Sequence, residues 1–154
     1  MGVGKTTTSK ELKKILPRCV FLDGDWCWDM SPFIVTEETI NMVINNISYL
    51  LNNYISCSEY ENVVFCWVMH EQSILDDVLS RLNKNDCNLH KFSLVCSEKA
   101  LISRVTRDIQ QGIRNSEVIE RSVPRLKNYT KKIDVSEISP KEAAEIIFRH
   151  IREH

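Results

Sequence analysis

Short apolar runs alternate with longer amphipathic stretches along the whole chain, and this alternation restricts the fold more than any other feature. The clearest run, at 62–68, is N-V-V-F-C-W-V. A strand that is apolar on both faces is typical of a parallel sheet with helices on both sides. We therefore expect an α/β fold of three layers. The predicted strands cover 18–22, 62–68, 88–96 and 132–135, and the predicted helices cover 5–16, 36–54, 72–82, 98–111, 116–129 and a last segment that starts at 139.

The composition indicates one domain over 1–154, with a core of ordinary size. Twenty basic and 21 acidic residues leave a net charge of −1, so there is no electrostatic case for a nucleic-acid or membrane partner. No apolar run approaches the ~20 residues that cross a bilayer, and the amino end does not resemble a signal peptide. We expect a cytoplasmic protein.

The cysteine pattern also favours a cytoplasmic protein. No C-x-x-C pair occurs, and no histidine lies at a spacing typical of zinc sites. We expect all six cysteines to be reduced thiols.

The amino end carries the second half of a phosphate-binding loop. Residues 2–7 match the end of the pattern G-x-x-x-x-G-K-[ST], and an amphipathic helix follows at once. Glycines let backbone N–H groups approach a phosphate, the lysine supplies positive charge, and the threonine hydroxyl can bind Mg²⁺. A chance G-K-T in a flexible amino end is the alternative. We expect ATP and Mg²⁺ as cofactors, bound by Gly2, Val3, Gly4, Lys5, Thr6 and Thr7.

The first glycine of that pattern would fall two residues before Met1. The buried strand that normally leads into such a loop therefore has no counterpart in the sequence. That strand is central in this fold class, so we expect a gap in the middle of the sheet. We also expect this form to be destabilised and to bind ATP weakly, with the absent residues encoded upstream.

An acidic turn follows the first predicted strand. Asp23 and Asp25 flank Gly24 there, and ligands of parallel sheets bind beyond the carboxyl ends of strands. Two carboxylates at this place can hold Mg²⁺ through water and accept a proton from a substrate hydroxyl. An ordinary Asp-Gly turn with solvated acids is the alternative. Trp26 and Trp28 follow, either as a wall of an acceptor pocket or as packing against the long helix.

A second polar group follows the strand at 62–68. His70 and Glu71 stand at its carboxyl end, where they either contact an acceptor or a metal-bound water, or cap the next helix. Trp67 lies within the strand, and we expect it in the core.

Arginines cluster in the region from 104 to 125. Gly112 interrupts the cluster, which is typical of a mobile helical lid, here at about 107–125. Phosphoryl transfer needs such positive charge near the reacting group. Solvated helix residues are the alternative reading of each arginine. Arg121 and Arg125 share a helix face; the other members are Arg104, Arg107 and Arg114.

This order of motifs resembles the small P-loop kinases of the shikimate, gluconate and nucleotide kinase group, over nearly the whole chain. Only the G-K-T loop is specific. The resemblance implies that Asp23 and Asp25 support Mg²⁺ and the acceptor hydroxyl, and that Arg114 is a lid arginine. Arg125 and Tyr129 keep the ends of an Arg-x-Pro-Leu-Tyr segment that grips the acceptor, without its Pro-Leu. The segment 132–144 resembles the adenine side of these enzymes.

One departure from that group concerns the acceptor. Shikimate kinases have three glycines where this chain has Met69, His70 and Glu71, which argues against shikimate as the substrate.

Three functions follow as hypotheses. The first is a kinase that transfers the γ-phosphoryl group of ATP to a small metabolite or nucleoside. The second is a nucleoside monophosphate kinase, which needs a basic pocket at the end of the first strand. The third is a regulatory ATPase, with Glu71 or Gln72 as a residue that positions water. For the first, the expected catalytic residues are Lys5, Asp25, Arg114, Arg121 and Arg125, with Thr6 and Asp23 at the metal.

Overall fold

The computed structural model describes residues 2–69, 71–84, 87–113 and 130–153. Helices and strands alternate through these ranges as the apolar pattern predicts. The predicted helix at 116–129 lies outside the described residues. The helices are α1 (Lys5–Ile15), α2 (Glu37–Ser56), α3 (Gln72–Ser80), α4 (Glu98–Gln110) and α5 (Pro140–Arg152), and the strands are β1 (Cys19–Asp23), β2 (Asn62–Cys66), β3 (Phe92–Val95) and β4 (Lys131–Asp134).

The strands form two parallel pairs. β1 pairs with β2, from Cys19 opposite Asn62 to Asp23 opposite Cys66. β3 pairs with β4. No strand within the described ranges joins β2 to β3, so the sheet consists of two separate halves. The predicted α/β fold with a gap at the centre of its sheet is therefore confirmed.

Helices cover both faces of these strands and form the two outer layers of the fold. One apolar cluster joins α1, α4 and α5 through residues such as Leu12, Leu101 and Ile147. The other joins α2 and α3 to β1 and includes Ile47 and Val78. No described helix has the length and apolarity needed to span a membrane.

The helix starts follow local sequence chemistry. Thr36 and Thr39 cap α2 reciprocally, because each side chain accepts a hydrogen bond from the other residue's backbone N–H. Ser139 and Glu142 do the same for α5, where Pro140 occupies the first turn. β3 is shorter than predicted, since 88–91 do not belong to the strand.

Candidate functional site

The amino end of α1 is built to face an anion. Gly4 caps the helix with φ 96°, its position offers no side-chain cap bond, and the first turn holds no acidic residue. The first helical hydrogen bond runs from the N–H of Thr8 to the carbonyl of Gly4, at 2.9 Å. The N–H groups before Thr8 therefore lack intrahelical acceptors, and the helix dipole adds partial positive charge there. Such an end favours phosphate.

Gly2 fits its position for two reasons. Its φ is +81°, and an added Cβ would lie 2.6 Å from Cγ2 of Val105 on α4. A side chain would thus meet both an unfavourable backbone conformation and a collision with α4. The loop consequently lies directly against this helix.

A hydrogen bond connects the phosphate loop to the acidic turn. The hydroxyl of Thr6 donates to Oδ2 of Asp23 at 2.7 Å. The backbone N–H of Asp25 donates to the other carboxylate oxygen, Oδ1, at 3.1 Å. Asp23 is only 4% exposed. Its carboxylate is therefore held in one orientation beside the Thr6 hydroxyl.

This pair suits Mg²⁺ chemically. A hydroxyl and a carboxylate are hard oxygen ligands, and Mg²⁺ is usually held by one or two carboxylates together with substrate phosphates. Among the residues that the structure describes, no group of three or more His, Cys, Asp or Glu side chains could hold a metal ion. Thr6 and Asp23 would supply two oxygen ligands, and phosphates and water commonly supply the others.

A small cavity of about 90 Å³ lies at this place. It is lined by residues of the loop, of the acidic turn and of the segment directly after β2. Val3 does not line it; this side chain is buried in the core instead. The predicted arginines Arg114, Arg121 and Arg125 lie outside the described residues. The lining residues are Gly2, Gly4, Lys5, Thr6, Thr7, Asp23, Asp25, Trp67 and Val68.

Trp67 packs against the apolar cluster that contains Ile47 and Val78, as the sequence pattern predicts, and also forms part of the wall of this cavity. It is half-buried and packs against Gly24, where an added Cβ would lie 2.4 Å from the ring. Gly24 therefore lets β2 and the acidic turn approach each other closely. Trp67 follows directly after β2, at the edge of the sheet where ligands bind, and this position is the signal that could have identified it as a residue of the site.

The two tryptophans after the turn have different surroundings. Trp28 packs against the apolar cluster that contains Ile47 and Val78, which agrees with the second reading of the sequence, packing against the long helix. Trp26 is 56% exposed and meets Phe21 edge to face, with ring centres 5.5 Å apart. Of these two tryptophans, Trp26 is the one that exposes most of its ring to solvent, next to Asp25 in the chain.

Arg104 holds the phosphate loop from outside the cavity. From α4 its Nη1 donates to the carbonyl of Val3 at 3.3 Å, and its Nη2 donates to the carbonyls of Val135 and, at 3.4 Å, Ser136. One guanidinium therefore joins the loop, α4 and the end of β4. The sequence places Arg104 only within an arginine cluster, because nothing local indicates contact with Val3.

Cys66 lies opposite Asp23 in the pairing of β1 and β2, and its thiol stays protonated. It is 7% exposed. Burial, followed by the negative charge of Asp23, raises the pKa of its thiol to about 11, against smaller opposing effects of hydrogen bonds with Ser9 and Thr6. The thiol consequently adds no second negative charge beside Asp23.

Glu71 does not line the small cavity. It occupies the cap position of α3 without a side-chain cap bond. Its carboxylate accepts a hydrogen bond of 3.4 Å from the hydroxyl of Ser73. The prediction for His70 falls outside the described residues.

A family model described as AAA domain matches residues 1–125. No curated protein matches the sequence.

Several solved structures share the fold. A gluconokinase from Sinorhizobium meliloti 1021 superposes with a TM-score of 0.68 at 17% identity, over 99% of this chain and 89% of its own. A sugar kinase from Janibacter sp. HTCC2649 gives 0.71 at 11% identity, over 98% and 89%. The tunicamycin resistance protein of Deinococcus radiodurans gives 0.63 at 16% identity, over 95% and 90%. These likenesses show a P-loop kinase fold.

Proposed function

Since the chain belongs to the AAA domain family, we propose that it transfers the γ-phosphoryl group of Mg·ATP to a hydroxyl of a small metabolite or nucleoside. The observation that carries the proposal is the hydrogen bond of 2.7 Å between Thr6 and Asp23. It couples the phosphate loop to an acidic turn within one cavity that Lys5 and Asp25 also line. Phosphate binding and an acceptor base thus share one site.

Each described residue of the site has a separate role in the proposed reaction. The N–H groups of the loop and of the first turn of α1 bind the phosphates, and Lys5 neutralises part of their charge. Thr6 and Asp23 would hold Mg²⁺, which neutralises charge that develops on the phosphate oxygens. Asp25 takes the proton from the acceptor hydroxyl as that oxygen bonds to the γ-phosphorus, while the bond from this phosphorus to the bridging oxygen breaks and ADP leaves.

Lid arginines complete the proposal. Arg114, Arg121 and Arg125 would add positive charge around the transferring group, since the protein mainly positions and neutralises in such reactions. The resemblance to small P-loop kinases is the support for this part.

The two alternatives find less support in the geometry. A nucleoside monophosphate kinase needs a basic pocket at the end of β1, where this chain has Asp23 and Asp25. A regulatory ATPase needs a residue that positions water near the phosphates. Glu71 and Gln72 do not line the phosphate cavity. They line the adjoining larger cavity, which Lys5 also lines, and Gln72 donates to Asp76 at 2.9 Å.

A screen of acceptors with ATP and Mg²⁺ tests the proposal. We expect transfer to a sugar or nucleoside hydroxyl, which falls by about 10²- to 10⁴-fold in Asp25→Asn because a general base is lost. ATP affinity should remain, since Asp25 does not bind phosphate in this mechanism. Asp29→Asn, at an exposed carboxylate of the same segment, is the matched control. ATP hydrolysis at one rate with every acceptor would contradict a kinase.

A further inference from the structure

The outer side of α2 carries no charge over most of its length. After Glu37 and Glu38 the sequence has no charged side chain until Glu59, in a chain of which 27% is charged. The residues that are exposed along one side of this helix, which we call the α2 face, are Met42, Asn45, Asn46, Tyr49, Asn53 and Ser56. Exposed helix faces ordinarily carry charged residues, whereas interfaces between proteins are depleted of them. The composition of the α2 face therefore indicates an interaction surface.

Two large side chains stand on the α2 face. Tyr49 is 71% exposed and Met42 is 44% exposed. They are seven residues apart, close to two helical turns, so they project from the same side of the helix. Tyrosine and methionine are enriched in the centres of interfaces. These two side chains are therefore suited to be the apolar centre of a contact with another molecule.

An exposed apolar segment adjoins the start of α2. Phe33, Ile34 and Val35 are all exposed. The hydroxyl of Thr39 donates to the carbonyl of Ile34 at 3.0 Å, and the ring of Phe33 lies 5.7 Å from the ring of Trp28. The segment is thus held in place by the rest of the chain. A surface that is ordered in advance loses less conformational entropy when it binds.

Charged side chains lie at the margins of the α2 face. Arg81 forms an ion pair with Asp77 at 2.8 Å and donates to Oδ1 of Asn45 at 2.6 Å. Glu37 and Glu38 occupy the first turn of the helix. An uncharged centre with a charged rim is the usual anatomy of an interface.

A second copy of the chain matches this surface. In a two-fold dimer the same patch meets itself, so a charged patch would repel its counterpart, whereas an uncharged one does not. Asparagine amides have both donors and an acceptor and can therefore pair across such an axis. α2 has 20 residues, or a length of about 30 Å. A standard interface of ~800 Å² per partner is also about 30 Å across.

Other occupants match the α2 face less well. Residues 114–129, which lie outside the described ranges, include six charged side chains, and covering these with an uncharged face would cost free energy. A membrane surface or a nucleic acid would need lysines or arginines, and the sequence has none between 37 and 58.

We propose that α2 forms a two-fold dimer with α2 of a second copy, with the two helices antiparallel and Met42 of each copy opposite Tyr49 of the other. At 1.5 Å per residue, this arrangement separates the acidic starts of the two helices by about 20 Å, well beyond the Debye length of about 8 Å. A parallel arrangement would bring these carboxylates together. None of the described residues that line the phosphate cavity belongs to α2, so the dimer does not use the residues of that cavity.

Sedimentation equilibrium of the parent chain and of single variants tests the proposal. Met42→Lys and Tyr49→Glu each place a charge opposite an uncharged side chain, so each should raise the Kd of the dimer by at least about tenfold. Ile102→Lys, at a side chain of similar exposure on α4, is the matched control and should dimerise like the parent. Substitutions at such exposed positions usually change stability little.

The double variant Met42→Lys with Tyr49→Glu tests the direction of the helices. In the antiparallel arrangement the introduced charges of one copy meet opposite charges of the other, so this variant should dimerise more tightly than either single variant. A parallel arrangement would instead bring like charges together.

Three results would overturn the proposal. One is a parent chain that stays monomeric at about 100 µM. Another is a dimer that Met42→Lys and Ile102→Lys affect equally. The third is a double variant that dimerises no more tightly than the single variants.

A measurement on the parent chain covers a variant that does not fold. Hydroxyl radicals oxidise exposed methionine and tyrosine side chains, and the rates are compared in dilute and in concentrated protein. Oxidation of Met42 and Tyr49 should slow as the concentration rises, whereas Tyr60, which is exposed before β2, should keep its rate. Equal rates at both concentrations would reject the α2 face as a dimer interface. None of these readouts depends on phosphoryl transfer.

Discussion

Thr6 contributes a single hydroxyl that meets both the proposed metal and Asp23. Thr6→Val removes this hydroxyl with little change in volume, so we expect Mg·ATP affinity to fall by about tenfold or more, the loss of one charge-assisted hydrogen bond. Thr6→Ser keeps the hydroxyl and should retain affinity. ATP titrations with and without Mg²⁺ check this. An equal loss in the absence of Mg²⁺ would show that the hydroxyl does not act through the metal.

Arg104 positions the phosphate loop without entering its cavity. Arg104→Ala releases the carbonyls of Val3, Val135 and Ser136, so we expect ATP affinity to fall by about tenfold and stability by about 1–2 kcal/mol. Arg104→Lys keeps one donor group, so its ATP affinity and stability should lie between those of the parent and those of Arg104→Ala. Arg107→Ala removes an exposed arginine of the same helix and serves as control. ATP affinity that is equal in Arg104→Ala and Arg107→Ala would refute the positioning role.

The raised pKa of Cys66 predicts a pH dependence of stability. In the unfolded chain the thiol titrates near its ordinary value of 9.0, and in the folded chain its pKa is about 11. The contribution of the protonated thiol to the free energy of unfolding is therefore complete below pH 9. As the pH rises towards 11, up to about 2 kcal/mol of it is lost. Urea unfolding across this window should show a shallower decline for Cys66→Ala. Cys87→Ala, at an exposed cysteine, should leave the slope unchanged.

At the scale of elements, the acidic turn depends on close approach between β1 and β2. Gly24→Ala places a methyl group 2.4 Å from the Trp67 ring, so Trp67 or the turn must move. We expect the free energy of unfolding to fall by about 2–3 kcal/mol, the tryptophan emission to change and ATP binding to weaken.

Gly112→Ala is the matched comparison for that prediction. Gly112 has φ +69° and nothing within 4 Å of an added Cβ, so only the backbone conformation costs energy, about 1 kcal/mol. Similar losses in the two variants would show that contact with Trp67 does not constrain the turn.

At the scale of the whole molecule, nucleotide binding and folding are linked. ATP with Mg²⁺ at about 100 times its Kd should stabilise the protein by about 2.7 kcal/mol, or roughly 5–10 °C in Tm for a chain of this size. Lys5→Ala should lose most of this shift at the same ATP concentration. Lys10→Ala removes an exposed charge from the same helix and should behave like the parent. A full shift in Lys5→Ala would remove Lys5 from the phosphate site.

Much of the fold was predictable because its signals are local. Helix periodicity, the caps at Thr36 and Ser139, and the apolar run of β2 each depend on residues within a few positions of one another. Predicted and observed elements therefore agree within a few residues, apart from the start of β3. The gap between β2 and β3 was also predictable, since a phosphate loop of this kind normally follows a central strand.

The site was predictable only in part. Gly2, Gly4, Lys5 and Thr6 follow a motif in which the chemistry dictates residue type and spacing. Trp67 packs against the core as expected, but its second role as a cavity wall was not predicted, because apolarity alone does not distinguish the two. The role of Arg104 required its contact with Val3, a residue 101 positions away.

The sequence by itself determined an anion-binding loop, an acidic turn and the order of helices and strands, because short-range hydrogen bonding and side-chain periodicity act between neighbours in the chain. Only the tertiary structure decided that Thr6 bonds to Asp23, that Trp67 contacts Gly24 and that Arg104 holds Val3. These contacts depend on how the layers pack, and packing joins residues that the linear order keeps far apart.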